Sequence, residues 1–305
     1  MARPVLITGA YGFIGRHVAR VLAAEGLTII GIGHGAWSRE QWRKWGISEW
    51  HAADVNLDNL VTHAGLPQAV VHCAGSGTVG FSATHPHQDY QRTVATTAAV
   101  LEFVRLYAKD AAVVYPSSAA VYGYARRLPI AETEAPSPVS AYGVHKQMAE
   151  QLCAAYARHF GIKAAIVRLF SVYGNGLRKQ LLWDACSKLR RGEAEFFGTG
   201  AELRDWLHVE DAATLLALAR RHASTACPVV NGGSGAGVAV ADIVQEIRNA
   251  MHADVAVTFD GKVRDVDPPT YVADVNRAAA WGWRARKPWQ EGVRAYAGWF
   301  ASAEN

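Results

Sequence analysis

The 305-residue sequence contains only four cysteines, Cys73, Cys153, Cys186 and Cys227, and they lie far apart. No two of them form a CxxC pair, which excludes a zinc knuckle and a dithiol redox motif. Each cysteine lies in or beside an apolar stretch, where a free thiol is usually buried. We therefore predict four free thiols and no bound metal.

The sequence also lacks any apolar run approaching the roughly 18 residues that a membrane-spanning helix needs. Its first residues, Met1-Ala2-Arg3-Pro4, lack the apolar region and the small-residue cleavage site of a secretion signal. An excess of one charge is missing as well, because 31 lysines and arginines face 27 acidic residues. We expect a cytoplasmic protein that binds neither membranes nor nucleic acid, with a mildly basic surface that suits small anionic ligands.

The sequence does contain a regular alternation of short β-branched runs and longer segments of helical period. Runs such as Val5–Thr8 are almost continuously apolar, which is typical of strands buried on both faces of a parallel sheet. Segments such as Ala141–Phe160 carry apolar residues every three or four positions. This alternation predicts an α/β protein with a doubly wound parallel sheet, a Rossmann fold. We assign residues 1–170 to that domain and residues 171–305 mainly to a smaller C-terminal lobe, from which residues 209–231 return to the sheet.

A glycine-rich turn joins the first strand directly to a helix, in the segment TGAYGFIG that begins at Thr8. Gly9 permits the tight turn, Gly12 lets backbone amides approach a pyrophosphate, and Gly15 allows close packing of the helix on the strand. The free amides and the dipole at the helix N-terminus favour a phosphate there. Strand, turn and helix together predict a dinucleotide site. The candidate cofactor residues of the turn are Gly9, Tyr11, Gly12, Phe13, Ile14 and Gly15.

The end of the second strand indicates which dinucleotide is bound. A carboxylate there would hydrogen-bond the adenosine ribose 2′-hydroxyl and repel a 2′-phosphate. The segment GIGHG, residues 31–35, has none, and Glu40 is the first acidic residue that follows. His34 and Arg39 could both donate hydrogen bonds to a phosphate. The sequence therefore favours NADP and leaves NAD as the alternative.

Candidate catalytic residues lie further along the chain. Tyr142 and Lys146 are four residues apart, which places them on one face of a helix, where the ammonium would lower the pKa of the phenol. A tyrosine of that kind exchanges a proton with a hydroxyl while hydride moves to or from a nicotinamide. Ser117 and Ser118 follow a buried strand, at the edge of the sheet where open α/β proteins bind their ligands.

Taken together, these motifs resemble the extended short-chain dehydrogenase/reductase family, over about residues 4–285. The resemblance implies that Ser118 polarises the substrate oxygen, that Tyr142 is the acid/base, and that Lys146 also bonds the nicotinamide ribose. It implies that Asp54 touches the adenine and that residues 1–170 bind NAD(P). The further cofactor contacts that it implies are Val55, Cys73, Ala74, Gly75 and Phe170.

The segment RDWLHVED, from Arg204 to Asp211, resembles a signature of the nucleotide-sugar epimerase, dehydratase and reductase branch of that family. The resemblance implies that Arg204 and Arg264 grip the pyrophosphate of a nucleotide sugar held by the C-terminal lobe, and a bidentate guanidinium suits that role. The implied substrate contacts are Ser117, Ser118, Ser171, Arg204 and Arg264. The resemblance also implies a homodimer, joined by a four-helix bundle of the helices Tyr90–Tyr107 and Ala141–Phe160.

Departures from the family patterns narrow the reaction. Ser118-Ala119-Ala120 stands where the 4,6-dehydratases have Thr-Asp-Glu, so water elimination lacks its acid and base. Ala120 and Ala119 also replace the glutamate of the sugar-acid decarboxylases and the cysteine of the fucose-forming epimerase/reductases. Ser171 and Thr93 replace two asparagines that the family usually has, so the pose of the sugar can differ.

The favoured function is an NADP-dependent reductase of a nucleotide-linked 4-keto-(6-deoxy) sugar that uses Ser118, Tyr142 and Lys146. The alternative is an NAD-dependent nucleotide-sugar 4-epimerase with tightly bound cofactor. The triad cannot separate them, since both reactions need the same proton and hydride chemistry. A steroid or flavonoid ketone as substrate, or a non-catalytic cofactor sensor, would also suit the fold. The Arg204 signature argues against the first of these, and the intact triad argues against the second.

Overall fold

The computed structural model describes residues 3–263 and 268–303. Strands and helices alternate through the first two thirds of these residues. The strands are β1 (Val5–Thr8), β2 (Ile29–Gly33), β3 (Glu49–Ala52), β4 (Ala69–His72), β5 (Ala112–Ser118), β6 (Lys163–Leu169), β7 (Ser171–Tyr173), β8 (Glu195–Phe196), β9 (Leu203–His208), β10 (Val229–Gly232), β11 (Gly237–Ala239), β12 (Thr258–Phe259) and β13 (Thr270–Tyr271).

The helices separate most of these strands. They are α1 (Phe13–Ala24), α2 (Arg39–Arg43), α3 (Leu57–His63), α4 (Val79–Thr84), α5 (Pro86–Tyr90), α6 (Thr96–Tyr107), α7 (Ala141–Phe160), α8 (Gln180–Arg190), α9 (Val209–His222), α10 (Val240–Ala250), α11 (Asn276–Ala280) and α12 (Trp289–Ala303). A π-helical turn at Gln91–Ala95 joins α5 to α6, and a 3-10 turn at Ala119–Val121 follows β5.

Seven strands form one parallel sheet in the order β10-β6-β5-β4-β1-β2-β3. Apolar side chains cover both faces, since one core cluster includes residues of α1 and α9 and another includes residues of α3, α6 and α7. The strand order reverses between β1 and β4, and ligands of open α/β sheets bind at such a reversal. The prediction of a doubly wound parallel sheet is confirmed.

The C-terminal residues form smaller sheets beside this one. Strands β7, β9, β11 and β13 pair in one sheet, and β8 pairs with β12 in another. Helices α8, α10 and α12 pack on them around a separate apolar cluster that includes Leu189, Ile243 and Phe300. Helix α9 and strand β10 lie with the large sheet instead, where β10 pairs with β6.

All four cysteines are free, and three of them are buried. None of the helices within residues 3–263 and 268–303 is both long and apolar enough to span a membrane.

Candidate active site

The glycine-rich turn is shaped by close contacts that only glycine allows. Gly9 has φ +67°, and a Cβ there would lie 2.6 Å from the amide nitrogen of Ala74. A Cβ on Gly15 would lie 2.4 Å from the carbonyl oxygen of Gly9. Gly12 is the N-cap of α1 and offers no side-chain cap, so the first-turn amides remain available to an anionic oxygen. The turn therefore fits the pyrophosphate of a dinucleotide.

The segment formed by Cys73, Ala74 and Gly75 connects this turn to the candidate catalytic helix. Ala74 touches Gly9, as described, and its amide donates to the Thr8 hydroxyl at 3.3 Å. A Cβ on Gly75 would lie 3.9 Å from Nζ of Lys146. The predicted cofactor residues of this segment thus line one continuous path from the glycine-rich turn to Lys146.

Helix α7 carries Tyr142 in its first turn, because Ser140 caps that turn by accepting a hydrogen bond from the Gly143 amide at 3.1 Å. The Tyr142 phenol lies beside Ser118, at the end of β5, where the two hydroxyls can hydrogen-bond. Lys146 lies one turn further along, with its Nζ 5.9 Å from the centre of the Tyr142 ring. The structure therefore brings the predicted catalytic residues together.

Burial controls the charge state of both groups. It raises the pKa of Tyr142 to about 12; the Ser118 hydrogen bond opposes this rise and the Asp89 carboxylate adds to it. Burial also lowers the pKa of Lys146 to about 8. The predicted lowering of the phenol pKa is wrong for this structure. The reason is that the phenol is buried, while the Lys146 ammonium donates to the Pro116 carbonyl at 3.0 Å.

Ser117 and Ser118 differ in exposure although they are adjacent. Ser117 is buried, and its hydroxyl has no hydrogen-bond partner among the described residues. Ser118 is half-buried and accepts a hydrogen bond from the Ala120 amide at 3.2 Å. Ser118 is thus the better placed of the two to meet a substrate oxygen.

The adenosine end differs from the arrangement that the sequence predicts. Nε2 of His34 lies 2.5 Å from Oδ1 of Asp54, and both side chains are exposed. His34 therefore has a carboxylate partner, and the Asp54 charge stands at the end of β2 where it would repel a 2′-phosphate. Arg39 lies exposed in the first turn of α2, and no contact joins it to His34 or Asp54 among the described residues.

The other predicted cofactor residues are mainly packed. The ring of Tyr11 covers Gly35 and meets Trp37 edge-to-face, with the ring centres 5.1 Å apart. Val55 is buried beneath the sheet. The remaining members each pack against one of the apolar clusters; they are Phe13, Ile14 and Phe170.

Two of the predicted substrate residues, Ser171 and Arg204, lie on paired strands of the C-terminal lobe. Ser171 of β7 is in register with Trp206 of β9, two residues after Arg204. The Arg204 guanidinium donates to the Leu203 and Pro269 carbonyls, each at 3.0 Å, and lies 5.8 Å from the Tyr271 ring. The predicted second arginine, Arg264, lies outside the described residues.

Asp205 is a structural residue that sequence reasoning passed over. Its buried carboxylate accepts hydrogen bonds from the amides of Ser234, Gly235 and Ala273 and from the Ser234 hydroxyl. These contacts tie the glycine-rich loop after β10 and the segment after β13 to β9. In the sequence, the one indication of this role is that an acidic residue directly follows Arg204. Its carboxylate holds these segments together.

A second pair that was missed lies beside Tyr142. Nδ1 of His145 lies 2.5 Å from Oδ2 of Asp89, whose side chain is fully buried in α5. Ser82 of α4 accepts a hydrogen bond from the Tyr142 amide at 3.0 Å. Helices α4 and α5 therefore hold the start of α7 in place.

An ion pair fixes the middle of α7 to the sheet. Arg168 of β6 donates from Nε and a terminal nitrogen to both oxygens of Glu150, at 3.0 and 2.7 Å, and both side chains are buried. We expect Glu150→Ala to lower the free energy of unfolding by about 3–5 kcal/mol, because it leaves the Arg168 charge buried and unpaired. Urea unfolding measures this. The control Glu193→Ala, which breaks an exposed pair with Arg191, should leave the free energy of unfolding nearly unchanged, because solvent screens that pair.

Comparison with known proteins identifies relatives of the whole chain. The family model described as "NAD dependent epimerase/dehydratase family" matches residues 5–231. A UDP-glucose 4-epimerase of Azospirillum brasilense is 30% identical over 324 residues, covering 98% of this chain and 92% of that protein.

Solved structures agree with this result. The UDP-glucose 4-epimerase of Brucella ovis in complex with NAD is 30% identical, with a TM-score of 0.87 and 98% of both chains covered. The structure of MoeE5 in complex with UDP-glucose and NAD is 28% identical, with a TM-score of 0.89, and the match covers 99% of this chain and 100% of that one.

Proposed function

Because the chain belongs to the NAD-dependent epimerase/dehydratase family, we propose that it is a nucleotide-sugar 4-epimerase that retains NAD. Membership of the family confirms the resemblance inferred from the sequence. The sequence favoured an NADP-dependent reductase, with this epimerase as the alternative. The relatives named above support the alternative, since they are UDP-glucose 4-epimerases or were solved with NAD.

One observation carries the proposal: Ser118, Tyr142 and Lys146 meet at the carboxyl end of β5, in line with the glycine-rich turn. The exposed pair of His34 and Asp54 supports NAD over NADP, because a carboxylate at the end of β2 accepts hydrogen bonds from ribose hydroxyls and repels a phosphate. The candidate substrates are UDP-hexoses, the class bound or used by the relatives.

In this proposal the protein residues handle the proton and the orientation of the sugar. NAD, when bound, supplies reversible hydride acceptance at the sugar C4. Tyr142 takes the proton of the 4-hydroxyl and later returns it to the 4-keto oxygen. Ser118 donates a hydrogen bond to that oxygen and opposes the rise that burial causes in the pKa of the Tyr142 phenol. Lys146, as the family resemblance implies, bonds the nicotinamide ribose.

Inversion also requires that the sugar present its other face to the same hydride position. Arg204 is the residue that we expect to anchor the nucleotide sugar during this movement. Its guanidinium can hold the diphosphate through a bidentate contact while the sugar turns. Ser171 lies on β7, which pairs with the strand of Arg204, and we propose that it contacts the sugar. Its hydroxyl is shorter than the asparagine side chain usual in the family, which leaves more room there.

Cofactor content tests the choice between epimerase and reductase. We expect the purified protein, once denatured, to release NAD and little NADP, because an epimerase never needs to exchange its cofactor. The apoprotein should then bind NADH more tightly than NADPH. As a control, Asp54→Asn, which removes the carboxylate charge, should narrow that preference. Loosely bound NADPH in the native protein would instead favour the 4-keto sugar reductase.

The predicted homodimer remains a prediction, and exposed apolar side chains on α6 and α7 support it. They are Leu106, Tyr107, Val144, Met148 and Phe160. We expect a dimer by sedimentation and a monomer for Val144→Lys/Met148→Lys, because burying two lysines at an interface is costly. Leu66→Lys, an equally apolar exposed site away from these helices, should leave the dimer intact. A monomeric native protein would contradict the prediction.

A further inference from the structure

A cavity of about 400 Å³ lies between α1, the start of α9 and α12. Among the described residues, none of those assigned above to cofactor, substrate or catalysis lines it. It is therefore a different cavity from the candidate active site. Its lining includes side chains of α1, of the segment after β7 and of the C-terminal helix.

The charge of this cavity is strongly one-sided. Four cations line it, and Glu210 is the one carboxylate among its described lining residues. Glu210 is already engaged, because its Oε2 lies 3.1 Å from Nζ of Lys287. The other cations are Arg16, Arg20 and Arg178. A lining with this excess of positive charge attracts anions.

Two of the arginines are held in place before any ligand arrives. The Arg20 guanidinium lies 4.0 Å from the Trp45 ring, and no hydrogen bond or ion pair involves it among the described residues. Arg16 donates to the Tyr11 and Gly12 carbonyls of the glycine-rich turn. A guanidinium that is stacked on a ring keeps its N–H donors available, and their planar, forked arrangement matches a phosphate group.

A buried histidine adds a neutral donor to the same lining. His17 is only 6% exposed, and its Nε2 has no hydrogen-bond partner among the described residues. Burial and the charge of Arg20 lower the pKa of His17 to about 4, so the ring is neutral at physiological pH. Buried polar atoms without a partner are rare because they cost free energy. Nε2 is closed to solvent, so an anionic oxygen would become its partner if the ring turned towards the cavity that it lines.

We propose that this cavity binds a small molecule through a phosphate or diphosphate group. Arg20 and Lys287 supply charge, Arg16 a fixed guanidinium, and His17 a neutral N–H. The proposal does not depend on the epimerase activity, since it concerns different residues.

Calorimetric titration of NAD-saturated protein with inorganic pyrophosphate and inorganic phosphate tests it. Saturation with NAD keeps the anion out of the glycine-rich turn. We expect pyrophosphate to bind more tightly than phosphate, and Arg20→Gln to weaken it about tenfold by removing a charged hydrogen bond. Glu210→Gln should tighten it about threefold, because it removes the opposing charge. A general loss of structure could not produce that gain.

Two controls locate the binding site. Arg43→Gln removes another tryptophan-stacked arginine, outside the cavity, and should leave the affinity unchanged. Arg204→Gln removes the proposed anchor of the substrate diphosphate, so the titrations are repeated in that background, where the effects of Arg20→Gln and Glu210→Gln should persist. The proposal is overturned if pyrophosphate produces no heat, if Arg20→Gln and Glu210→Gln bind like the native protein, or if Arg204→Gln abolishes binding.

Discussion

We expect the Tyr142→Phe variant to interconvert UDP-glucose and UDP-galactose about 100- to 10,000-fold more slowly than the native protein, while retaining NAD and its fold. The substitution removes only the phenol oxygen, which lies beside Ser118. Without it, the proposed acceptor of the 4-hydroxyl proton is missing. Chromatography of the nucleotide sugars at equal enzyme and NAD content measures the change.

Two outcomes of this measurement differ in meaning. Turnover that persists in Tyr142→Phe would refute the assignment of Tyr142 as the acid/base. Loss of NAD from the variant would show that the substitution disturbs the cofactor cleft, and Tyr156→Phe on the same helix is the matched control. The Tyr156 hydroxyl contacts Glu102 at 3.2 Å, away from the site, so that variant should remain fully active.

The pH dependence of the epimerisation rate in Ser118→Ala tests whether Ser118 acts on the Tyr142 phenol. A purely structural role of Ser118 would not shift that dependence. The Ser118 hydrogen bond lowers the pKa of the Tyr142 phenol, so its removal raises that pKa further above its ordinary value. The phenolate is the form that accepts a proton, so the rising limb of the rate should move to higher pH in the variant.

The fold was predictable where burial leaves a mark in the sequence. Strand β1 is predicted with its observed bounds because all four of its residues are buried and three of them are apolar. Strand β3 was missed because it forms the edge of the sheet, where Glu49 and Ala52 are exposed and the alternation of a buried strand is absent. The edge strand β3 is defined by its pairing with β2, and the sequence alone does not show that pairing.

The candidate site also has one part that the sequence predicts and one part that it does not. The glycine-rich turn and the spacing of Tyr142 and Lys146 are local, so a short segment contains the whole signal. The pairing of His34 with Asp54 joins the ends of different strands, and only the sheet brings them together. Reading the end of β2 in isolation therefore favoured NADP, because the nearest carboxylate in space comes from a later segment.

The second large effect concerns the glycine-rich turn. We expect Gly15→Ala to reduce the NAD retained after purification and to weaken NAD binding by roughly 100-fold, since lost hydrogen bonds to a charged group cost about 1.5–3 kcal/mol. The added Cβ would lie 2.4 Å from the Gly9 carbonyl oxygen and 2.9 Å from the Ala10 Cα. Both are backbone atoms, so the start of α1 and the turn must separate, and the first-turn amides move away from the pyrophosphate.

The matched control is Gly298→Ala in the exposed middle of α12, where a Cβ meets nothing within 4 Å. That substitution should leave NAD binding unchanged and stabilise the helix, since alanine is favoured over glycine in a helix by about 1 kcal/mol. Fluorescence titration of the apoproteins compares the two variants. If Gly15→Ala bound NAD as tightly as Gly298→Ala, the turn would not be the pyrophosphate site. The dinucleotide would then have to lie elsewhere along the carboxyl edge of the sheet, and the roles proposed for Tyr142 and Lys146 would lose their geometric basis.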